Sequence, residues 1–190
     1  MKPIILVTGL ARSGLTMTMQ MLHAGGLNCL GEFPAFEPYG IGDIPWEKCE
    51  GIAVKLIDPQ LQRPPSGREY KIILLHRNAW QQAKSTIKFV RALTTGIIPP
   101  PSTFRLMRSI RRDCSEIRQW ARQHDRISIN FEDIVKHPTA AALRIESFVG
   151  EKLDTVKMSA AVIPRGTACL KGLLEIDMIE KGGQGNAGTK

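Results

Sequence analysis

Short apolar runs at residues 3–8, 52–57 and 71–75, and the stretch Ile127-Ser128-Ile129-Asn130-Phe131, punctuate the chain. Each is too brief for a helix and is bounded by glycine, proline or polar residues, which predicts a buried strand. Between them the period changes. Residues 14–25 predict a helix that Gly25-Gly26 stops. Residues 79–93 predict a second. Residues 103–123 give the clearest helical pattern, with Phe104, Met107, Ile110, Cys114, Ile117 and Ala121 recurring at spacings of three and four. Pro138 opens a further helix and Gly150 closes it, the expected Pro-first, Gly-last asymmetry. Segment 27–50 has no clear period and reads as an irregular excursion. Residues 94–102, with Pro99-Pro100-Pro101, read as a stiff loop able to act as a lid. Continuous apolar strands alternating with helices predict an α/β protein, a three-layer sandwich with a central parallel sheet. We expect a single domain over 1–180 and a flexible tail over 181–190.

In such sheets ligands sit beyond the carboxyl ends of the strands. The first strand runs into Gly9-Leu10-Ala11-Arg12-Ser13-Gly14-Leu15-Thr16, the frame Gly-x4-Gly-x-Thr that holds phosphate on a helix N-terminus. Leu15 stands where a nucleotide triphosphatase would carry its lysine, and a cation sits instead at Arg12. That argues against an ordinary nucleoside triphosphate, whose outer phosphates need that lysine. The third strand ends in His76-Arg77, with Ser85 eight residues after the arginine. If the intervening segment is helical, guanidinium and hydroxyl can converge on a second phosphate. Two separate anion sites suit a nucleotide phosphorylated at two places.

Composition narrows the class without deciding it. The 190 residues are enough for a metal-free, disulfide-free core. A formal charge of +8 implies anionic partners. The start shows no signal peptide and no run has the length of a membrane span, so the chain reads as cytoplasmic, with Cys29, Cys49, Cys114 and Cys169 reduced and no metal-like pairing among them. Arginines 105, 108, 111, 112, 118 and 122 form either a solvated helix face or a basic acceptor-docking surface. No base-stacking platform is visible, which ranks nucleic acid low as a partner.

The glycine loop, the Arg77–Ser85 pair and Asn130-Phe131-Glu132-Asp133-Ile134 followed by His137-Pro138 and a helix ending Phe148-Val149-Gly150 together resemble the sulfotransferases that use 3′-phosphoadenosine 5′-phosphosulfate (PAPS). The loop, with its arginine and with Gly31-Glu32 downstream, is most similar to that of tyrosylprotein sulfotransferases. The resemblance covers roughly residues 3–25 and 70–150. It implies a P-loop NTPase-like sulfotransferase fold and PAPS as donor, leaving 3′-phosphoadenosine 5′-phosphate (PAP). It assigns Arg12 to the leaving-group oxygen, Ser13, Gly14, Leu15 and Thr16 to the 5′-phosphosulfate, and Arg77 and Ser85 to the 3′-phosphate. Glu32 is the first candidate for the catalytic base, with Glu37 and His23 as alternatives. No metal is demanded, because the transferred group carries less charge than a γ-phosphoryl. Ala11 and Leu15 depart from the family's proline and threonine. The acceptor is a small molecule or saccharide, which the positive charge allows to be anionic, and its identity is not legible. Lys55, inside an apolar strand, either snorkels towards the site or pairs with a carboxylate. Two other functions compete: a P-loop kinase of a nucleotide or small metabolite, with Asp58 ending the second strand as a magnesium holder, and a donor-binding homologue without activity.

Overall fold

The computed structural model describes residues 2–37, 44–93 and 102–163. The strands are β1 (Ile4–Gly9), β2 (Ala53–Ile57), β3 (Tyr70–His76) and β4 (Asp125–Asn130), in one parallel sheet of order β2-β1-β3-β4. The helices are α1 (Leu15–Ala24), α2 (Ala79–Leu93), α3 (Thr103–Ala121), α4 (Phe131–Lys136), α5 (Pro138–Val149) and α6 (Thr155–Ala160).

Strand alternation sorts the core into two layers. Ile5 and Val7 of β1 and Ile73 and Leu75 of β3 face Met21 of α1, Ile134 of α4, Ile145 of α5 and Met158 of α6. Ile4 and Leu6, with Ile72 and Leu74, face Ala83 of α2 and Met107, Ile110 and Ile117 of α3. β1 and β3 are therefore covered on both sides, as their apolar runs require, while the edge strand β4 buries Ile129 and leaves Asp125, Arg126, Ser128 and Asn130 exposed. Leu6, Val7, Ile72 and Ile73 are wholly buried, each contributing about 1.5–3 kcal/mol to burial free energy.

Several helix ends follow from local chemistry. Ser102 accepts the Arg105 N–H at 3.3 Å and starts α3, and Asp154 accepts the Lys157 N–H at 3.0 Å and starts α6. Gly150, at φ 78°, ends α5 in the left-handed conformation that glycine adopts without steric cost.

The expected strands and helices are present, with three refinements. The strand expected over 127–131 begins earlier and ends at Asn130, and Phe131 instead opens α4. That helix and α6 are too short for a period to show in sequence. Phe104, the first residue of the α3 stripe, is 59% exposed, while Met107, Ile110, Ile117 and Ala121 are buried. The excursion over 27–50 contains a 3-10 turn at Trp46–Lys48 and a parallel bridge between Cys29 and Ala53. Burial pushes the Cys29 thiol up to about 12, well away from thiolate reactivity. The proposed lid lies, apart from Ser102, outside the described residues, as do the proposed tail and Cys169. No described helix is long and apolar enough to cross a membrane.

Candidate functional site

Gly9 ends β1 pressed between neighbours. A Cβ there would lie 2.6 Å from the Leu75 carbonyl oxygen, so only glycine fits. The chain then turns through Arg12 at φ 68° and Gly14 at φ 103° before α1 begins. No side chain caps α1, and its first intrahelical bond runs from the Thr18 N–H to the Gly14 carbonyl. The first-turn N–H groups therefore point out of the helix end, where they attract an anion. The Ser13 N–H turns back to the Leu10 carbonyl at 3.2 Å. Its hydroxyl is buried with no hydrogen-bond partner among the described residues. Leu15 is only 5% exposed and belongs to the core, so its missing hydroxyl is a matter of packing. Thr16 lines the cavity above the loop.

A non-glycine residue at φ 68° costs about 1 kcal/mol or more and persists only where its surroundings over-determine it. Here three elements do so. The Asp58 carboxylate at the end of β2 accepts the Ala11 N–H at 3.0 Å. Gln82 of α2 donates to the Ala11 carbonyl at 2.7 Å. Arg77 after β3 donates to the Arg12 carbonyl at 3.1 Å. Held so, the Arg12 side chain donates from Nε to the Ser85 hydroxyl at 3.3 Å and lies over the Phe89 ring at 5.0 Å.

Phe131 joins the third sequence segment to the other two. Its ring lies 4.2 Å from the Arg77 guanidinium carbon, and a Cβ on Gly14 would come within 2.9 Å of it. Glu132 accepts the Asn78 N–H at 3.0 Å. All three segments thus meet around one cavity of about 340 Å³, lined by Arg12, Thr16, Gln20, Arg77 and Phe131 among others.

Lys55 is buried on β2 and both sequence expectations for it are met at once. Its ammonium donates to Thr16 Oγ1 at 3.3 Å and to the Ala35 carbonyl, and pairs with Glu37 at 3.1 Å. Burial lowers its pKa, and the Glu37 carboxylate opposes that shift. Glu37 lines the cavity; Glu32, which is exposed, and Ser13 and Ser85, which are buried, are not among the lining residues. His23 packs against the Phe36 and Phe33 rings at 5.3 and 6.0 Å. His76 is half-buried at the end of β3, and burial followed by the Arg118 charge lowers its pKa.

Gln82, Phe89 and the bracing role of Asp58 escaped sequence reading. Only the strand-terminal position of Asp58 could have pointed to them. Burial raises the Asp58 pKa most, the Ala11 N–H and the Gln60 side chain oppose it, and Asp113 adds to it. A raised folded-state pKa stabilises most below the unfolded value of 3.8, and that contribution is lost as pH rises through the folded value. Asp58→Asn keeps an oxygen for Ala11 but carries no charge to desolvate. We expect this variant to melt above the parent at pH 7, with the gain fading below pH 3.8. Thermal melts across pH read this directly, and an Asn variant that melts lower at pH 7 would refute it.

No family model and no curated protein matches the sequence. Among solved structures the chain is similar to mouse sulfotransferase SULT7A1 complexed with PAP, with a TM-score of 0.55 and 14% identity over 85% of this chain and 63% of that one. The chain therefore spans less than two thirds of that protein's length. Its four parallel strands, the helices on both faces and the glycine turn after β1 build a sulfotransferase fold.

Proposed function

We propose that this protein is a sulfotransferase that takes its sulfuryl group from PAPS and passes it to a hydroxyl or amine of an acceptor. One observation carries the reading. Arg77 and Ser85, expected to hold a 3′-phosphate, both bond to Arg12, the cation of the glycine loop, at 3.1 and 3.3 Å. A nucleotide with phosphates at both positions can thus be gripped by one connected cluster. The donor fits the residues present: an uncapped helix start, the buried Ser13 hydroxyl without a partner, and two arginines at a cavity large enough for a small ligand. The PAP in the mouse neighbour supports the same choice.

PAPS supplies a sulfuryl group whose bond to the 5′-phosphate oxygen breaks as a bond to the acceptor oxygen or nitrogen forms, leaving PAP. Arg12 and the first-turn N–H groups of α1 hold negative charge where it builds on the leaving phosphate. Lys55, whose ammonium donates to Thr16, the Ala35 carbonyl and Glu37, holds Thr16 and Glu37 in place at the cavity. Glu37, beside Lys55 and on the cavity wall, takes the acceptor proton; its place there favours it over Glu32 and His23. Arg77 and Ser85 fix the ribose end and so align the donor. We also propose that residues 1–180 act as one domain in this and that the chain works in the cytoplasm.

Isothermal titration with PAP tests the reading. We expect saturable binding without added metal. Absence of binding would overturn it, ATP turnover that requires Mg²⁺ would favour the kinase, and PAP binding without sulfuryl transfer from PAPS would leave the donor-binding homologue.

A further inference from the structure

A second cavity of about 400 Å³ opens at the end of the edge strand β2. Ile44, Leu56, Ile57 and Leu61 give it apolar walls. It shares Glu37 and Ile57 with the donor cavity, and Lys55 also lines it. A ligand inside would therefore meet the Lys55–Glu37 pair where the two cavities adjoin. The charges on its walls are unbalanced. Glu37 is matched by Lys55 at 3.1 Å. Asp58 accepts from the Ala11 N–H and the Gln60 side chain, and no cationic side chain pairs with it among the described residues. Asp113 of α3 is itself paired with Arg112 at 3.0 Å, so the imbalance at the wall rests on Asp58.

Resting on the sulfotransferase reading, we propose that this second cavity is the acceptor site and selects a hydroxyl compound with an apolar body and a protonated amine, the amine lying against Asp58 and the hydroxyl at Lys55 and Glu37. The volume is near the lower end for ligand pockets and suits a single ring or a short chain. The apolar walls take the body. A protonated amine holds no lone pair, so the hydroxyl is the nucleophile and gives its proton to Glu37 as its oxygen bonds to sulfur. An anionic acceptor, which the net charge of +8 had allowed, meets an unbalanced carboxylate here.

The test uses the full chain saturated with PAP and three probes that share a phenol ring: tyramine, para-ethylphenol and para-hydroxyphenylpropionate. A charge-assisted contact at a half-buried carboxylate makes tyramine bind about tenfold more tightly than ethylphenol, with the propionate weakest. In Asp58→Asn, which retains an oxygen for Ala11, the ratio of tyramine to ethylphenol falls to about one. Leu61→Lys, at a lining side chain that is 83% exposed, shifts preference towards the propionate and does not depend on the loop contact. Equal binding of tyramine and ethylphenol, or a ratio that survives both substitutions, overturns the proposal. If PAP fails to bind, the sulfotransferase reading falls, and the same titrations without PAP still decide whether the cavity prefers the amine.

Discussion

Arg12→Ala is expected to lower kcat by about a thousandfold and to weaken PAP binding by about tenfold. The size follows from removing one preorganised charge at a leaving group, which costs about 10²–10³ in rate, together with a charge-assisted contact to phosphate. The rate loss exceeds the binding loss because charge on the bridging oxygen grows only as the bond to sulfur breaks. Arg12→Lys separates charge from shape. It keeps the cation but loses the planar fork that reaches Ser85 and lies over Phe89. We expect lysine to restore most of the rate and part of the affinity. Transfer assays with PAPS, beside titrations with PAP, read the two effects separately. A rate loss under fivefold in the alanine variant would remove Arg12 from the chemistry.

The second large effect concerns Arg77→Ala. Its guanidinium is nearly buried, bonds to the Arg12 carbonyl and stacks on Phe131. As the 3′-phosphate holder it should bind PAP about a hundredfold more tightly than alanine does, the value of a largely buried, bidentate contact to phosphate. AMP has no 3′-phosphate and should lose only the smaller share that comes from loosening the loop, about threefold. The ratio of the two losses is the diagnostic. Equal losses would mean that Arg77 only braces the turn, and the 3′-phosphate would have to be held elsewhere. Arg77→Lys should recover little, since a single ammonium cannot serve both the Arg12 carbonyl and a phosphate.

Much of this was legible in the residues because it depends on local rules. Strand β1, the glycine turn and α1 follow from an apolar run, two glycines and a helical period. The α2 boundaries at Ala79 and Leu93 match those read from sequence. Arg77 and Ser85 were legible as a pair because eight residues span about two helical turns. The rest depends on residues distant in sequence. Asp58 meets Ala11 across 47 positions and Gln82 meets it across 71, and neither residue type announces such a partner. The choice between Glu32 and Glu37 turns on how an aperiodic excursion folds back onto Lys55, which no local pattern encodes. Leu15 looked like a loss of ligand chemistry in sequence; its burial shows a hydrophobe contributed to the core from the first residue of α1.

Residues 9–16 contain every backbone group of the phosphate turn, yet they do not hold its shape alone. The clamps on Ala11 and Arg12 come from the ends of β2 and β3 and from α2, which lie 47 to 71 positions downstream. A shortened chain stopping after β2 would carry the whole signature and grip no nucleotide. On the proposed reading, donor affinity is a gauge of whether the entire sheet has closed, and the glycine turn cannot be transplanted as a self-sufficient cassette.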